Sequence, residues 1–533
     1  MVPARPAPNL APDLARALVL ALALGLAWAL RDWAALRSLS LPDTDDTMRL
    51  VQVRDWLAGQ DWRDLTQHRL AGGLPMHWTR LADLGPAALI AALTPLAGRH
   101  EAEVAAVTAW PLMLFAVVLL LVQRIARQAG GPPLAGAAAV LAAIAYPATT
   151  VFAPGRIDHH GLQMVLLLGG VLALLGPPTL ARGIWQGAAA AAAFVIGLET
   201  APLALALGGV ALWGWSCGEE GGRARLAGLA LGGAAGLIVA RALFAPALWD
   251  QPWCDGLTRD AWTAATAGVV GAAALAIVPE AARRPARTGL AIAMLASVAA
   301  FAASTTPRCL SPYGGVDPAL AARWLTHVGE AQSIATAPWT TSFGYLGLAV
   351  IGLLAGAWRV AADRRRPWGM LLLLQATALV LACVQLRGAY AAALLATPAL
   401  ATAINAARRR GAIRLALVWS ASAGMLYPIA AQAMTPMAHG GADTPTTCPL
   451  PSGFAHMPPG VVLAPIDMGP TILLDTPHAI VAAPYHRNNT GNLAALRSER
   501  DGPDSATVRT WNVRYVLTCP ATGGAAQLQV LAR

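Results

Sequence analysis

The chain has 533 residues, of which 56% are hydrophobic and 12% are charged, and its mean hydropathy is +0.53. These values exclude an ordinary soluble enzyme and predict a polytopic membrane protein, because many uninterrupted apolar runs are long enough to cross a bilayer. The formal net charge of +10 does not indicate nucleic-acid binding, because the arginines cluster between apolar runs, where they orient helices and meet anionic lipid head groups.

The N-terminal part carries Arg5 and Arg16 before an apolar run at residues 17–30. Because no small-residue cleavage pattern follows this run, we predict a retained first span rather than a removed signal peptide. Residues 33–83 are polar with interleaved tryptophans, which is typical of short amphipathic helices that lie along the membrane interface. The apolar stretch at residues 84–97 is short, and we expect it to rest on the membrane.

Twelve further apolar runs bring the prediction to about thirteen crossings. They lie at about 102–123, 132–152, 161–176, 184–198, 201–216, 226–245, 263–279, 288–304, 342–358, 369–386, 389–405 and 413–432. Arginine-rich connections alternate with polar ones, and the positive-inside rule assigns the arginine-rich set to the cytoplasm. The connections expected on the opposite face are 33–101, 153–160, 246–262, 305–341 and the tail from 433.

The tail, residues 433–533, starts rich in proline and then changes to short apolar stretches of strand type. These stretches are 460–463, 479–483 and 513–517. With glycine and proline between them, they predict a small mixed α/β domain outside the membrane. Residues 1–432 are then the transmembrane domain, with long external loops at 33–101 and 305–341.

Four cysteines fall in the segments assigned to the external face: Cys254, Cys309, Cys448 and Cys519. In an oxidising compartment they would form the disulfides Cys448–Cys519 and Cys254–Cys309. Spacing alone does not establish either pairing.

An acid and two imidazoles interrupt the apolar pattern between Gly155 and Gly161. Asp158 and His160 are two positions apart and supply an oxygen and a nitrogen, ligands that can bind one divalent cation. The alternative interpretation is a polar loop at the membrane surface.

The first external loop contains three carboxylates within four residues, Asp43, Asp45 and Asp46. Such carboxylates repel one another unless a cation or an arginine lies between them, so they either bind metal or stay solvated. A solvated turn that caps the following helix is the alternative. Their predicted face is that of Asp158 and His160, which allows the two groups to meet.

Later external segments add further polar groups. Glu330 lies in the long loop at 305–341, and long polar loops are usually functional or disordered. Arg387 lies at the external end of a span, where an arginine tends to have an anionic partner such as a phosphate. Snorkelling to the interface is the alternative for Arg387. Glu199, at another outer boundary, is interpreted as structural.

The tail has two dense polar clusters, which contain Asp467 and His486. Asp467 precedes Gly469 and is also explained by a turn. His486 and Arg487 are also explained by exposure to water. No repeat is visible in the chain.

Together these motifs resemble the catalytic subunit of oligosaccharyltransferases of the bacterial and archaeal type, members of the polytopic GT-C glycosyltransferase superfamily. The motifs are the acidic loop after the first span, Asp158-His159-His160, the stretch His327–Gln332, Arg387 before Tyr390, and the turn Asp467–Gly469. The resemblance covers nearly the whole chain in topology and implies an α-helical polytopic GT-C fold with a small extracytoplasmic α/β domain.

The resemblance also implies roles for the acidic residues. Asp45 would be the metal-binding and catalytic carboxylate, with Asp46 a near alternative because the register is uncertain by one position. Asp158 and His160 would complete the binding of Mn²⁺ or Mg²⁺. Glu330 would face both the metal and the acceptor.

Arg387 would bind the diphosphate of a polyprenyl-linked sugar, and the expected acceptor-side residues are His327, Asp467 and His486. Two motifs depart from the family. Its Trp-Trp-Asp-Tyr-Gly is reduced to Pro465-Ile466-Asp467-Met468-Gly469, and its Thr-Ile-x-Glu becomes His327-Val328-Gly329-Glu330. The donor side therefore matches better than the acceptor side.

We accordingly expect a metal-dependent, inverting glycosyltransferase of a bacterial inner membrane, with a cytoplasmic N-terminus and a periplasmic C-terminal domain. It would move a sugar or oligosaccharide from a polyprenyl phosphate or diphosphate to an unidentified periplasmic acceptor. A lipid-linked sugar transporter or flippase would instead show facing charges at mid-bilayer and an inverted repeat. An inactive membrane scaffold would leave the acidic loop far from Glu330.

Overall fold

A computed structural model gives the fold and describes residues 10–279, 282–305, 307–310, 313, 315–435, 448–520 and 526–531. Arg5 and residues 436–447, which belong to the predicted proline-rich start of the tail, lie outside the described residues. The helices in chain order are α1 (Ala11–Arg31), α2 (Trp33–Arg37), α3 (Thr44–Leu57), α4 (Arg80–Ala97), α5 (Arg99–Gly130), α6 (Ala135–Ala143), α7 (His160–Leu175), α8 (Leu180–Ile196), α9 (Ala201–Ser216), α10 (Gly222–Val239), α11 (Arg259–Ala276), α12 (Arg284–Thr305), α13 (Pro318–Arg323), α14 (Trp339–Ala362), α15 (Arg366–Val384), α16 (Gly388–Arg408), α17 (Ala412–Ser422), α18 (Leu426–Met434), α19 (Gly469–Asp475), α20 (Asn489–Asp501) and α21 (Ser505–Trp511).

Every predicted span contains a helix, and the chain is a multi-pass membrane protein. Within the described residues, nine helices are long and apolar enough to cross a membrane, or ten if the bent pair α17 and α18 is one span. Helices α6, α7 and α8 are apolar but shorter. Helix α4, expected to rest on the membrane, passes the same test, whereas α11 is not among the nine. The count of thirteen stays a prediction.

Two predicted spans are broken in the structure, and their breaks meet. Helix α6 ends at Ala143, and a 3₁₀ turn follows only at Ala148–Phe152, after Pro147. Helices α17 and α18 are bent by 81°. At the contact, Met425 N donates to Ile144 O at 3.2 Å. A Cβ on Gly424 would lie 2.7 Å from Tyr146 N, so this approach requires glycine.

Helix α16 is the centre of the membrane-embedded part, because 83% of its apolar window is buried inside the protein. Its residues are mainly alanine and leucine, and small side chains allow helices to pack closely. It packs against α5, α6, α14 and α15. This central helix begins directly after Arg387, so that arginine lies at one end of the helix bundle.

The described strands form two sheets. Strands β1 (Thr66–Gln67) and β2 (Leu74–Pro75) pair antiparallel in the first loop. The tail has β3 (Val461–Leu463), β4 (Ala479–Ile480), β5 (Val513–Thr518) and β6 (Gln527–Val530), in the order β4-β3-β5-β6. Strand β3 is parallel to β4 and β5, and β6 is antiparallel to β5. The three strand stretches predicted from sequence are therefore present.

The tail packs on the first external loop rather than standing apart from it. One hydrophobic core contains side chains from both segments, for example Met48 and Ile472. Arg69 donates to Leu473 O at 2.8 Å and Thr476 O at 2.9 Å, which fastens the loop to the end of α19. Both predicted disulfides, Cys254–Cys309 and Cys448–Cys519, are present.

Candidate functional site

One large cavity of about 1410 Å³ opens at the face where the predicted external segments meet. Its lining includes predicted site residues from every part of the chain: Asp45, His160, His327, Glu330, Arg387, Asp467 and His486. Asp46 and Asp158 lie behind the lining. The structure therefore brings these distant segments together at one cavity.

The acidic loop forms the first turn of α3. Asp43 is the residue before the helix, and its Oδ1 accepts a hydrogen bond from Asp45 N at 3.1 Å, so the capping interpretation holds for Asp43. Asp46 Oδ1 accepts from the backbone N atoms of Ile157 at 2.7 Å and Asp158 at 2.8 Å. The two candidates for the predicted catalytic carboxylate therefore differ. Asp45 lines the cavity, whereas Asp46 is fully buried and holds the 156–160 loop.

Arg156 is the cation that the clustered carboxylates require. Its Nη1 lies 2.8 Å from Asp43 Oδ2 and 3.2 Å from Asp46 Oδ2, and its Nη2 lies 3.1 Å from Asp158 Oδ2. Gly155, just before it, has φ of +91°, and a Cβ there would lie 2.7 Å from Pro42 Cδ. The sequence analysis missed Arg156, although it lies within the stretch that contains Asp158.

Asp158 orients His160. Asp158 Oδ1 accepts from His160 N at 3.0 Å, and Asp158 Oδ2 lies 3.0 Å from His160 Nδ1. Burial alone would raise the pKa of Asp158, but His160 and Arg156 outweigh it and lower that pKa well below its usual value. Burial would lower the pKa of His160, but Asp158 and Glu330 outweigh it and raise that pKa to about 9, so a bound cation has to displace the proton on Nε2. Because Asp158 accepts, the proton that remains on the neutral ring is on Nδ1, and Nε2 then has the free lone pair.

The opposite side of the cavity is built around Arg387. Its Nη2 donates to Tyr313 OH at 2.6 Å and lies 3.5 Å from Glu330 Oε1, and its Nη1 lies 4.0 Å from Glu199 Oε1. Arg387 N also donates to Glu330 O at 3.1 Å. Tyr390 OH donates to Glu330 Oε2 at 3.4 Å. Arg387 therefore faces anionic partners in the cavity instead of snorkelling.

A buried chain of polar contacts lies behind this side of the cavity. Arg49 Nη1 lies 2.6 Å from Asp83 Oδ1, and Arg49 Nη2 lies 3.3 Å from His159 Nδ1. Because a guanidinium only donates, His159 Nδ1 accepts, and the ring proton is on Nε2, 3.4 Å from Glu199 Oε1. His159 and Glu199 thus connect the first loop to Arg387. Sequence reasoning had no signal for these contacts, because Arg49 and His159 are 110 positions apart.

The expected acceptor-side residues differ in their surroundings. His327 is exposed, and its Nδ1 lies 3.2 Å from Thr326 Oγ1. Burial and then Asp43 raise the pKa of Asp467. His486 Nε2 is hydrogen-bonded to Asp255, so it does more than face water. All three line the cavity, and Asp255 is a lining residue that the sequence analysis did not single out.

Within the described part of the chain, no three His, Cys, Asp or Glu side chains form a preorganised metal site. The chemistry of the cavity nevertheless suits a cation. His160 Nε2 is buried without a hydrogen-bond partner among the described residues and lies 3.7 Å from Glu330 Oε2, a separation that one cation can bridge. Burial, then Asp43 and Glu330, raises the pKa of Asp45 well above its usual value, which reflects uncompensated negative charge.

The fold around this cavity is similar to that of solved oligosaccharyltransferase structures. This agrees with the resemblance drawn from the sequence motifs.

Similar solved structures include several of the oligosaccharyltransferase of Archaeoglobus fulgidus. The apo form matches with a TM-score of 0.67 and 14% identity, over 96% of this chain and 69% of that one. The complex of this archaeal enzyme, AglB, with an inhibitory peptide and a dolichol-phosphate matches with a TM-score of 0.64 and 15% identity, over 94% and 69%. The complex with Zn and sulfate matches with a TM-score of 0.60 and 16% identity, over 94% and 67%.

At these identities the similarity concerns the fold alone. No protein-family model and no curated protein matches the sequence. The chemistry of the site in this chain must therefore be argued from its own residues.

Proposed function

We propose that this protein is a metal-dependent, inverting glycosyltransferase that moves a sugar or oligosaccharide from a polyprenyl phosphate or diphosphate to a periplasmic acceptor. One observation carries the proposal: Asp45, His160, Glu330 and Arg387, which are far apart in the sequence, line one cavity. An inactive scaffold would not require this convergence. Apolar residues of two of the apolar helices, Leu203, Leu205, Leu381 and Val384, also line the cavity, which suits a lipid-linked donor.

Arg387 is the proposed binding group for the donor phosphate. Its guanidinium plane is held by Tyr313 and lies among carboxylates at 3.5 and 4.0 Å, too distant for bidentate pairing. Arg387 therefore keeps donors available for a phosphate oxygen. In the transfer step, charge develops on the leaving phosphate, and Arg387 stabilises it there.

Asp45, His160 and Glu330 are the proposed ligands of the divalent cation, Mn²⁺ or Mg²⁺. Asp158, which the sequence also predicted as a ligand, lies behind the cavity lining, paired with Arg156 and His160, and we propose that it positions His160 instead. When bound, the cation supplies positive charge that polarises the phosphate and favours departure of the leaving group. Asp158 holds the His160 ring so that Nε2 is the nitrogen available for binding. Asp46 and Arg156 fix the loop that carries both residues.

The solved relatives support the proposal by what they contain. One Archaeoglobus fulgidus structure holds an inhibitory peptide and a dolichol-phosphate, and another holds Zn and sulfate. We extend a lipid-linked donor and a divalent metal to this chain as part of the proposal. We also propose the bacterial inner membrane as its location, with the N-terminus in the cytoplasm and the tail in the periplasm.

The test uses purified protein in lipid nanodiscs and a short polyprenyl diphosphate that carries one sugar. With water as the acceptor of the sugar, the protein is expected to release polyprenyl diphosphate in the presence of Mn²⁺ and to stop when the metal is chelated. Asp45→Asn and Arg387→Gln should lower release about 100-fold or more, because each removes charge that acts on the transition state. Arg364→Gln is the matched control, because Arg364 is exposed in the connection between α14 and α15 and does not line the cavity. Release that is unchanged by chelation and by both variants contradicts the proposal.

A further inference from the structure

We propose that the acceptor reacts through a hydroxyl group and that His486, oriented by Asp255, removes the hydroxyl proton. This inference rests on the proposed function and names the class of acceptor for the same cavity. It comes from a second polar cluster at the cavity, which contains no proposed metal ligand. Its members on the lining are His77, Asp255, Tyr313 and His486, and Arg487 lies behind Asp255.

Asp255 is a fixed carboxylate. It accepts from His486 Nε2 and from both Nε and Nη2 of Arg487, with Nε at 2.8 Å. Arg487 is itself fixed, since its Nη1 donates to Pro75 O and Met76 O at 3.1 Å each and its guanidinium carbon lies 3.9 Å from the centre of the Trp253 ring. Asp255 can therefore hold His486 in one orientation.

The position of the ring proton of His486 follows from this pairing. Burial would raise the pKa of Asp255, but His486 and Arg487 lower it well below its usual value, so Asp255 is ionised and only accepts. The proton of neutral His486 is then on Nε2, and Nδ1 has the lone pair. A carboxylate that fixes one nitrogen while the other takes a proton is the arrangement of a histidine general base.

His486 is placed beside the proposed donor site. Its ring is 5.7 Å from the ring of Tyr313, whose hydroxyl accepts from Arg387 at 2.6 Å. The preceding residue, Tyr485, donates to Thr44 O at 3.3 Å, next to Asp45. His486 keeps 22% of its side chain exposed, which leaves it accessible from the cavity.

Three carboxylates of the cavity, Asp43, Asp45 and Glu330, have partners or proposed roles. Asp43 is paired with Arg156, and Asp45 is a proposed ligand of the cation. Glu330 is a proposed ligand as well and receives Tyr390 OH and Arg387. His486 is oriented by a carboxylate that belongs to neither set, so it can accept a proton without giving up a metal or phosphate contact.

A histidine base suits a hydroxyl better than a carboxamide. The nitrogen lone pair of a carboxamide is delocalised, so loss of a proton to imidazole does not by itself make it a good nucleophile. In the proposed step, the hydroxyl proton moves to His486 Nδ1 and the hydroxyl oxygen forms a bond to the anomeric carbon. The bond from that carbon to the phosphate oxygen breaks, and its electron pair leaves on the phosphate beside Arg387.

The experiment offers both nucleophiles at once. Purified protein receives the short polyprenyl diphosphate sugar and a peptide that contains Asn-Val-Thr, and methanol is used in a parallel reaction. Mass spectrometry then identifies the atom that carries the sugar. We expect sugar on the threonine hydroxyl and formation of a methyl glycoside. Sugar on the asparagine amide alone overturns the inference but leaves the proposed function standing. Failure of the wild type to release polyprenyl diphosphate contradicts both.

Variants test the base. His486→Gln should bind the donor with unchanged Kd and lower methyl glycoside formation about 100-fold, the usual effect of losing a general base. His68→Gln is the matched control, because His68 Nε2 pairs with Asp64 Oδ2 at 2.7 Å on the exposed surface. A His486→Gln rate close to that of the control overturns the inference.

A second pair of measurements separates chemistry from folding. Asp255→Asn should lower kcat for methyl glycoside formation and leave KM for the donor unchanged, because Asp255 acts as a positioning residue. Free imidazole should restore part of the rate to His486→Ala. If imidazole does not restore the rate of His486→Ala although the donor is bound, the inference is overturned.

Discussion

The two sides of the cavity are built differently. The acidic wall comprises Asp43, Asp46, Arg156, Asp158 and His160. It is buried except for Asp43 and, in part, Arg156, and it is fixed by backbone hydrogen bonds to Asp46 and by the three contacts of Arg156. The loop wall, which comprises Tyr313, Glu330 and Arg387, includes segments of a long connection. Asp46 has no exposed side-chain surface, whereas 24% of Glu330 is exposed.

This difference assigns separate tasks. The acidic wall has three carboxylates around one guanidinium, an excess of negative charge that is held in place by the fold and calls for a cation. The ion-pair contacts of the loop wall are longer, at 3.5 Å from Arg387 to Glu330 and 4.0 Å from Arg387 to Glu199, which leaves Arg387 available to a donor phosphate. We therefore expect substitutions in the acidic wall to act mainly on stability and those in the loop wall mainly on donor binding.

The largest expected effect is that of Arg156→Gln. It leaves three carboxylates of the acidic wall without their shared cation, and breaking a buried ion pair costs about 3–5 kcal/mol. Thermal unfolding in detergent measures the loss. Arg31→Gln is the control, since Arg31 and Asp32 form an exposed pair whose loss changes stability little. A variant as stable as the control would show that the acidic wall does not need Arg156.

The next effect concerns the tether of the loop wall. The Cys254–Cys309 disulfide joins residues 55 positions apart, and its loss by paired serine substitution should lower stability by about 2–4 kcal/mol. It should also speed proteolysis between residues 315 and 331. Cys217→Ser, at a free and exposed cysteine, is the control. If cleavage of this loop is unchanged, the disulfide does not hold the loop wall.

A smaller effect is expected for Tyr313→Phe. Arg387 loses a hydrogen bond of 2.6 Å, and bonds to charged groups contribute about 1.5–3 kcal/mol. Donor Kd should rise about tenfold or more while stability stays near that of the wild type. Tyr427→Phe removes a hydroxyl that donates to Ala421 O at 2.7 Å outside the cavity and serves as the comparison. Equal donor affinities in the two variants would contradict the role of Tyr313.

The smallest effect lies outside both walls. Burial would raise the pKa of Asp64, but His68 and Thr66 outweigh it and lower that pKa to about 2. A lowered folded-state pKa means that the stabilisation is present above the unfolded value and is lost as pH falls from about 4 to about 2. Asp64→Asn should lower the free energy of unfolding by less than about 1 kcal/mol at pH 7, and this loss should shrink below pH 4. The Tm of both proteins, measured across this pH range, checks it. A difference that grows in acid would contradict this sign.

The sequence predicted the placement of the site better than its internal contacts. Hydropathy and arginine placement locate the loops, so Asp45, Asp158 and Glu330 could be assigned to one face. The contacts of Arg156 with Asp43 and Asp46 depend on how segments more than 100 positions apart pack, and no local pattern encodes that. For the same reason, the sequence could not assign separate roles to the carboxylates of the acidic wall, Asp43, Asp46 and Asp158.

Hydropathy also failed to reveal the two span breaks. The runs at 132–152 and 413–432 are each apolar enough overall to predict one span, yet both helices end close to where their backbones meet, at Ile144 and Met425. The glycine at 424 is required by the approach of another helix, which cannot be read from its neighbours in the sequence. The tail likewise offered strands but not the core that it shares with the first loop.

The most direct measurement is pulsed electron paramagnetic resonance of Mn²⁺ bound to the purified protein, with and without polyprenyl diphosphate. The proposed site predicts a ¹⁴N coupling from one imidazole that disappears in His160→Ala and a ³¹P coupling that appears when the diphosphate is added. A ¹⁴N signal unchanged by His160→Ala, or bound Mn²⁺ with no ³¹P coupling to the added diphosphate, would contradict a cation held between the two walls beside a lipid phosphate.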